Sequence, residues 1–67
     1  MNSILAVNLG ATLKVARFEK KMTQKELAEK SGIADKKISK IERGIELPTL
    51  EEVFALASAL GKEIALI

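Results

Sequence analysis

The side chains with chemistry to offer are cationic, and they are unevenly spread. Between Arg17 and Arg43 lie nine bases, Arg17, Lys20, Lys21, Lys25, Lys30, Lys36, Lys37, Lys40 and Arg43, against five acids, Glu19, Glu26, Glu29, Asp35 and Glu42. That window carries +4 and the remainder −2, which together make the formal net charge of +2. A basic middle between acidic flanks points to a polyanionic partner for the middle alone. Other chemistries are excluded by what is missing. There is neither Cys nor His, so disulfides, the usual zinc sites, imidazole acid–base work and thiol nucleophiles are all out of reach. The serines, Ser3, Ser31, Ser39 and Ser58, have only lysines to activate them, and no glycine-rich loop could cradle a phosphate. No enzyme activity and no cofactor are expected. Phe18 and Phe54 are the only aromatic residues, which leaves no stacking platform for single-stranded nucleic acid.

Size sets the frame for these cations. A chain of 67 residues supports one domain, 1–67, with a small core that is marginal on its own, so a second subunit is expected. No stretch approaches the roughly 18 apolar residues of a membrane span. Met1–Asn8 lacks the basic start of a secretory signal. The expected setting is soluble and cytoplasmic, without a membrane partner.

The elements that must carry the basic window are short. Leu5, Leu9, Leu13 and Ala16 recur at helical spacing and predict a first helix to about Lys20, capped by Ser3 or Asn8. Gly10 inside that helix costs about 1 kcal/mol relative to Ala. Thr23-Gln24-Lys25-Glu26 is a capping box, opening a second helix that stops at Ser31-Gly32. A third helix runs from Ala34 or Asp35 to Glu42, with Ile38 and Ile41 inward and Gly44 closing it. Thr49-Leu50-Glu51-Glu52 is a second capping box. It starts a fourth helix whose broad apolar set, Leu50, Val53, Phe54, Leu56, Ala57 and Leu60, predicts a largely buried element. The stretch 62–67 is too short for a helix and reads as a strand, which cannot satisfy its own backbone and needs a partner.

Two short helices joined through Gly32 make a helix-turn-helix arrangement. The matching residues are Arg17; Thr23, Gln24, Leu27 and Ala28; Gly32 and Ile33; Ile38, Ser39, Ile41, Glu42 and Gly44; Pro48, Thr49 and Leu50; and Ala57, Leu60 and Gly61. With that pattern in register, the sequence resembles the prokaryotic and phage helix-turn-helix domains of the Cro/repressor (XRE) type. The resemblance implies a mostly α, four- to five-helix lambda-repressor-like DNA-binding domain over 1–67, with its helix-turn-helix at 23–43. It also implies a homodimeric, sequence-specific regulator of transcription bound to a double-stranded operator. Gln24, at the second helix's start, is placed where an amide donates to a phosphate. Asp35, Lys36 and Lys40 match positions that reach base edges, and lysine can donate to guanine O6 and N7. Lys37, Ser39 and Arg43 fall where backbone contacts occur. Arg17 and Glu42 resemble a partly buried ion pair between the first and third helices.

Departures from the pattern matter. Ala34 stands where a small hydroxyl usually caps the third helix, so either that cap is lost or Asp35 takes it over. Ala34 could instead touch a thymine methyl. Lys21 replaces a glycine common at the end of the first helix. The ending, Leu60 to Ile67, is similar to the C-terminal strand of HipB-type antitoxins. There Ile64, Leu66 and Ile67 would pair across a dimer, and a toxin protein would be a further partner. A restriction–modification controller protein, similarly small and dimeric, is the third alternative, distinguished by an all-helical dimer interface.

Overall fold

The computed structural model describes residues 3–63. Four helices follow one another: α1 (Ile4–Glu19), α2 (Gln24–Ser31), α3 (Asp35–Glu42) and α4 (Leu50–Ala59). Local chemistry sets most of their ends. The Ser3 hydroxyl accepts from the Ala6 amide at 3.0 Å, which starts α1 and places Asn8 inside it. At α2 the Thr23 hydroxyl accepts from the Glu26 N–H at 3.0 Å, and the Glu26 carboxylate accepts from the Thr23 N–H at 2.8 Å. The same reciprocal box, Thr49 with Glu52, starts α4. Lys21 takes up the left-handed conformation, with φ 54°, at a cost of roughly 1–2 kcal/mol that the family's glycine would avoid.

The core lies where α2, α3 and α4 meet the inner side of α1. Leu27, Ile38, Ile41, Leu56 and Leu60 are fully buried, and Leu13, Ala16 and Ile33 pack around them. Gly10 is part of this packing. A Cβ there would overlap the carbonyl oxygens of Ile41 and Glu42, so glycine is what lets the α1 and α3 backbones touch. The helix-propensity cost at Gly10 is the condition of that approach.

Two expectations change. The fourth helix is less buried than its apolar content suggests: Leu50 and Phe54 face outward and only Leu56 and Ala57 are buried within α4. Lys62 and Glu63 are not in a strand. The Lys62 N–H donates to the Ala57 carbonyl at 2.8 Å across left-handed Gly61, which is a helix-closing bond. The remainder of the expected strand, Ile64 to Ile67 with its dimerisation residues Ile64, Leu66 and Ile67, lies outside the described residues.

Candidate nucleic-acid interface

The site is built outward from one buried pair. Arg17 Nε donates to Glu42 Oε2 at 2.7 Å and Arg17 Nη2 donates to Glu42 Oε1 at 2.9 Å, a two-pronged pairing between the last turns of α1 and α3. Both side chains are buried. The third prong, Arg17 Nη1, donates to the Met22 carbonyl at 2.9 Å and so ties down the turn into α2. The Gln24 amide donates to Glu42 Oε1 at 3.0 Å. Burial alone would raise the Glu42 carboxyl, but the donors from Arg17 and Gln24 outweigh it and hold it below the usual glutamate range. The hydrogen bond to Glu42 correspondingly raises the Arg17 guanidinium. The expected ion pair is therefore present, and Gln24 is its third member.

This network fixes the start of α2 against the end of α3. A primary amide nitrogen has two N–H donors. One of Gln24's is committed to Glu42, and the side chain is half-buried.

The outer side of α3 holds exposed cations with no ion-pair partner among the described residues. At about 100° per residue, Lys36, Lys40 and Arg43 fall within about 60° of one another, opposite inward Ile38 and Ile41. All three are exposed. Asp35 and Ala34 are exposed at the front of the helix. The N-cap of α3 is Ala34, with no side-chain hydrogen bond, and Asp35 is the first helical residue. Asp35 therefore does not take over the cap, and among the described residues no side chain caps the first amides of α3. Its carboxylate still sits favourably at the positive end of the helix dipole. Ser39 is half-buried, and its carbonyl accepts from Arg43 Nε at 3.4 Å.

Lys37 stands apart from the other cations. Its Nζ lies 2.7 Å from Glu52 Oε2 and 3.5 Å from Glu46 Oε2, so it ties α3 to the front of α4. The hydrogen bond to Glu52 raises the Lys37 ammonium, and the same contact lowers the Glu52 carboxyl. The family pattern places Lys37 with Ser39 and Arg43 as a backbone contact and carries no signal of this cross-link. Glu52 lies fifteen positions away, and no periodicity signals the contact. Among the described residues no group of His, Cys, Asp or Glu could hold a metal, and no helix is long and apolar enough to cross a membrane.

With this geometry in place, the chain can be set beside known proteins. Residues 13–67 match a helix-turn-helix family model. The chain is 44% identical over 54 residues to an uncharacterized HTH-type transcriptional regulator, y4dL, of Sinorhizobium fredii, and 36% identical over 61 residues to the immunity repressor protein of Bacillus phage phi105. Those stretches take in 81% and 91% of this chain but 28% and 42% of the relatives, so it spans less than half their length. Among solved structures, the restriction-modification controller protein C.AhdI from Aeromonas hydrophila superposes with a TM-score of 0.88 at 31% identity, covering 91% of this chain and 92% of that one. The controller protein C.Esp1396I gives 0.87 at 32% identity, covering 92% and 80%. Four helices in the expected order, with a helix-turn-helix at α2 and α3, agree with these likenesses: the chain belongs to the helix-turn-helix family, as a DNA-binding domain of the kind that transcriptional regulators carry.

Proposed function

We propose that the domain acts as a homodimeric repressor of transcription in the cytoplasm, with α3 of each copy lying in the major groove of duplex DNA. The observation that carries this reading is the arc of Lys36, Lys40 and Arg43, exposed together on the side of α3 turned away from the core. Lys36 and Lys40 are assigned to base edges and Arg43 to the phosphate backbone. Ala34 and Asp35, at the front of the helix, contact or repel according to the bases they meet. The free N–H of Gln24 and the start of α2 face a phosphate. Ser39 is a minor backbone donor. Lys37, already paired with two glutamates, contributes chiefly to the rigidity of α3. The proposed activity is binding, with no catalysis.

A second copy is supported by an apolar patch beside α3. Ile45 and Leu47 in the connecting loop, and Leu50 and Phe54 one turn apart on α4, are all exposed. Packing two such patches would hold two α3 helices for half-sites one helical turn, about 34–36 Å, apart. A restriction–modification controller is the second reading, favoured by the near-complete coverage of C.AhdI.

Titration of labelled duplexes at several salt concentrations tests the reading. Affinity should fall steeply with salt, and Lys40→Ala should reduce the log–log slope by about 1 if Lys40 meets a phosphate, or change base preference by about 1–3 kcal/mol if it meets a base. Binding that barely responds to salt, or that is untouched by Lys36→Ala and Lys40→Ala together, would refute it.

A further inference from the structure

The outer side of α1 carries a second apolar stripe, largely outside both the core and the DNA-facing surface, with only Val7 also lying against Gly44. Ile4, Val7, Ala11, Val15 and Phe18 are all exposed; the four larger ones show 83%, 46%, 56% and 57% of their surface. Their spacing of three and four residues puts them on one stripe. At about 100° per residue that stripe centres roughly opposite Leu13 and Ala6, which are buried. A helix apolar on both sides is the pattern of an element buried on both sides.

The stripe is also symmetric about its middle. Ile4 and Phe18 lie seven positions either side of Ala11, and Val7 and Val15 lie four either side. Run antiparallel about a two-fold axis through Ala11, two copies would place Ile4 on Phe18, Val7 on Val15 and Ala11 on Ala11, a self-complementary arrangement. The smallest side chain then falls where the helices approach most closely, and the bulkiest pair closes each end. Glu19 and Lys62 line the groove beside Ala11 and Val15 on one side of the stripe, and Lys14 stands on the other. In this pairing the two copies of Lys14 stand about 9 Å apart along the helices and do not confront each other. Covering the five residues would remove on the order of 500 Å² per copy, about 1,000 Å² in the pair, at the lower bound for a specific interface.

We infer that the outer stripe of α1 is a two-fold contact for a second copy of this chain, separate from the α4 patch and weak on its own. The chain has no native cysteine, so a single introduced thiol reports on the contact. Under mild oxidation, Ala11→Cys should form a covalent dimer at least tenfold faster than Thr12→Cys, whose side chain is turned about 100° away. Adding Val15→Glu to the Ala11→Cys chain should bring the rate down to that of Thr12→Cys, with helix content by circular dichroism unchanged. Adding Leu50→Lys, which disrupts the α4 patch, should leave the fast rate in place. Equal rates for Ala11→Cys and Thr12→Cys would overturn the inference. That is also the result if residues 64–67 or an unrelated protein cover the stripe, since the two thiols would then be held apart. A fast rate that survives Val15→Glu, or that is lost with Leu50→Lys, would overturn it as well.

Discussion

The two ends of α3 are built on opposite plans. At its C-terminal end Ile41 is buried, Glu42 takes two hydrogen bonds from Arg17 and one from Gln24, and the helix backbone lies directly against Gly10 of α1. Left-handed Gly44 follows, seated so close to Val7 that a Cβ would come within 2.9 Å of its Cα. At its N-terminal end Ala34 offers no cap, and Asp35 and Lys36 are exposed. The helices on either side have complete capping boxes at the same position. One end of α3 is anchored and the other is left with amides and a lysine directed outward. In the proposed reading both are needed: the anchored end would set the orientation, and the open end would keep its donors for DNA.

Breaking the anchored end should have the largest effect. Glu42→Ala leaves a buried guanidinium without its carboxylate and should cost about 3–5 kcal/mol, enough to unfold much of a domain this small. Urea denaturation measures it, and a loss under about 1 kcal/mol would mean that the pair behaves as a surface bridge. The same carboxylate gives the wild type an acid dependence. Because its folded pKa is lowered, its contribution is present above the ordinary glutamate value of 4.5 and is lost as pH falls through the lower folded value. Glu42→Gln should flatten the decline of stability below that pH. A residual slope from Glu26 and Glu52, whose carboxyls are also lowered, should remain.

Gly10→Ala probes the same end from the α1 side, with a smaller effect. In an exposed helix this change would stabilise by up to about 1 kcal/mol. Here the added Cβ meets two α3 carbonyls and should cost about 1–3 kcal/mol, a Tm lowered by roughly 4–8 °C for each kcal/mol. A raised Tm would show that α1 and α3 do not approach as closely as Gly10 implies.

How much of this could be read from the sequence follows the range of the interactions. The capping boxes at Thr23 and Thr49, and the stops at Gly32 and Gly61, are local chemistry and stand as expected. The Arg17–Glu42 pair spans 25 positions and was legible only through the family pattern. Contacts with no pattern behind them were not legible: Gln24 on Glu42, and Lys37 on Glu52 and Glu46. Apolar content misled at Leu50 and Phe54, because periodicity shows that a face is apolar and not which neighbour covers it. The same ambiguity hid the outer stripe of α1, where two apolar faces share one helix.

The open end of α3 gives the smallest and most discriminating effect. Ala34→Ser places a hydroxyl where the α3 amides have no side-chain partner, and a new cap of this kind contributes about 1 kcal/mol. In a domain of this size that is a Tm raised by roughly 4–8 °C. The contrast between the two ends of α3 rests on those amides being unsatisfied, so an unchanged Tm would mean that the front of α3 is already closed by some other group. A raised Tm with weaker operator binding carries the argument further. It would mean that the donors left open at Ala34 serve the DNA, and that the domain trades a local stability contribution for a contact made only in the complex.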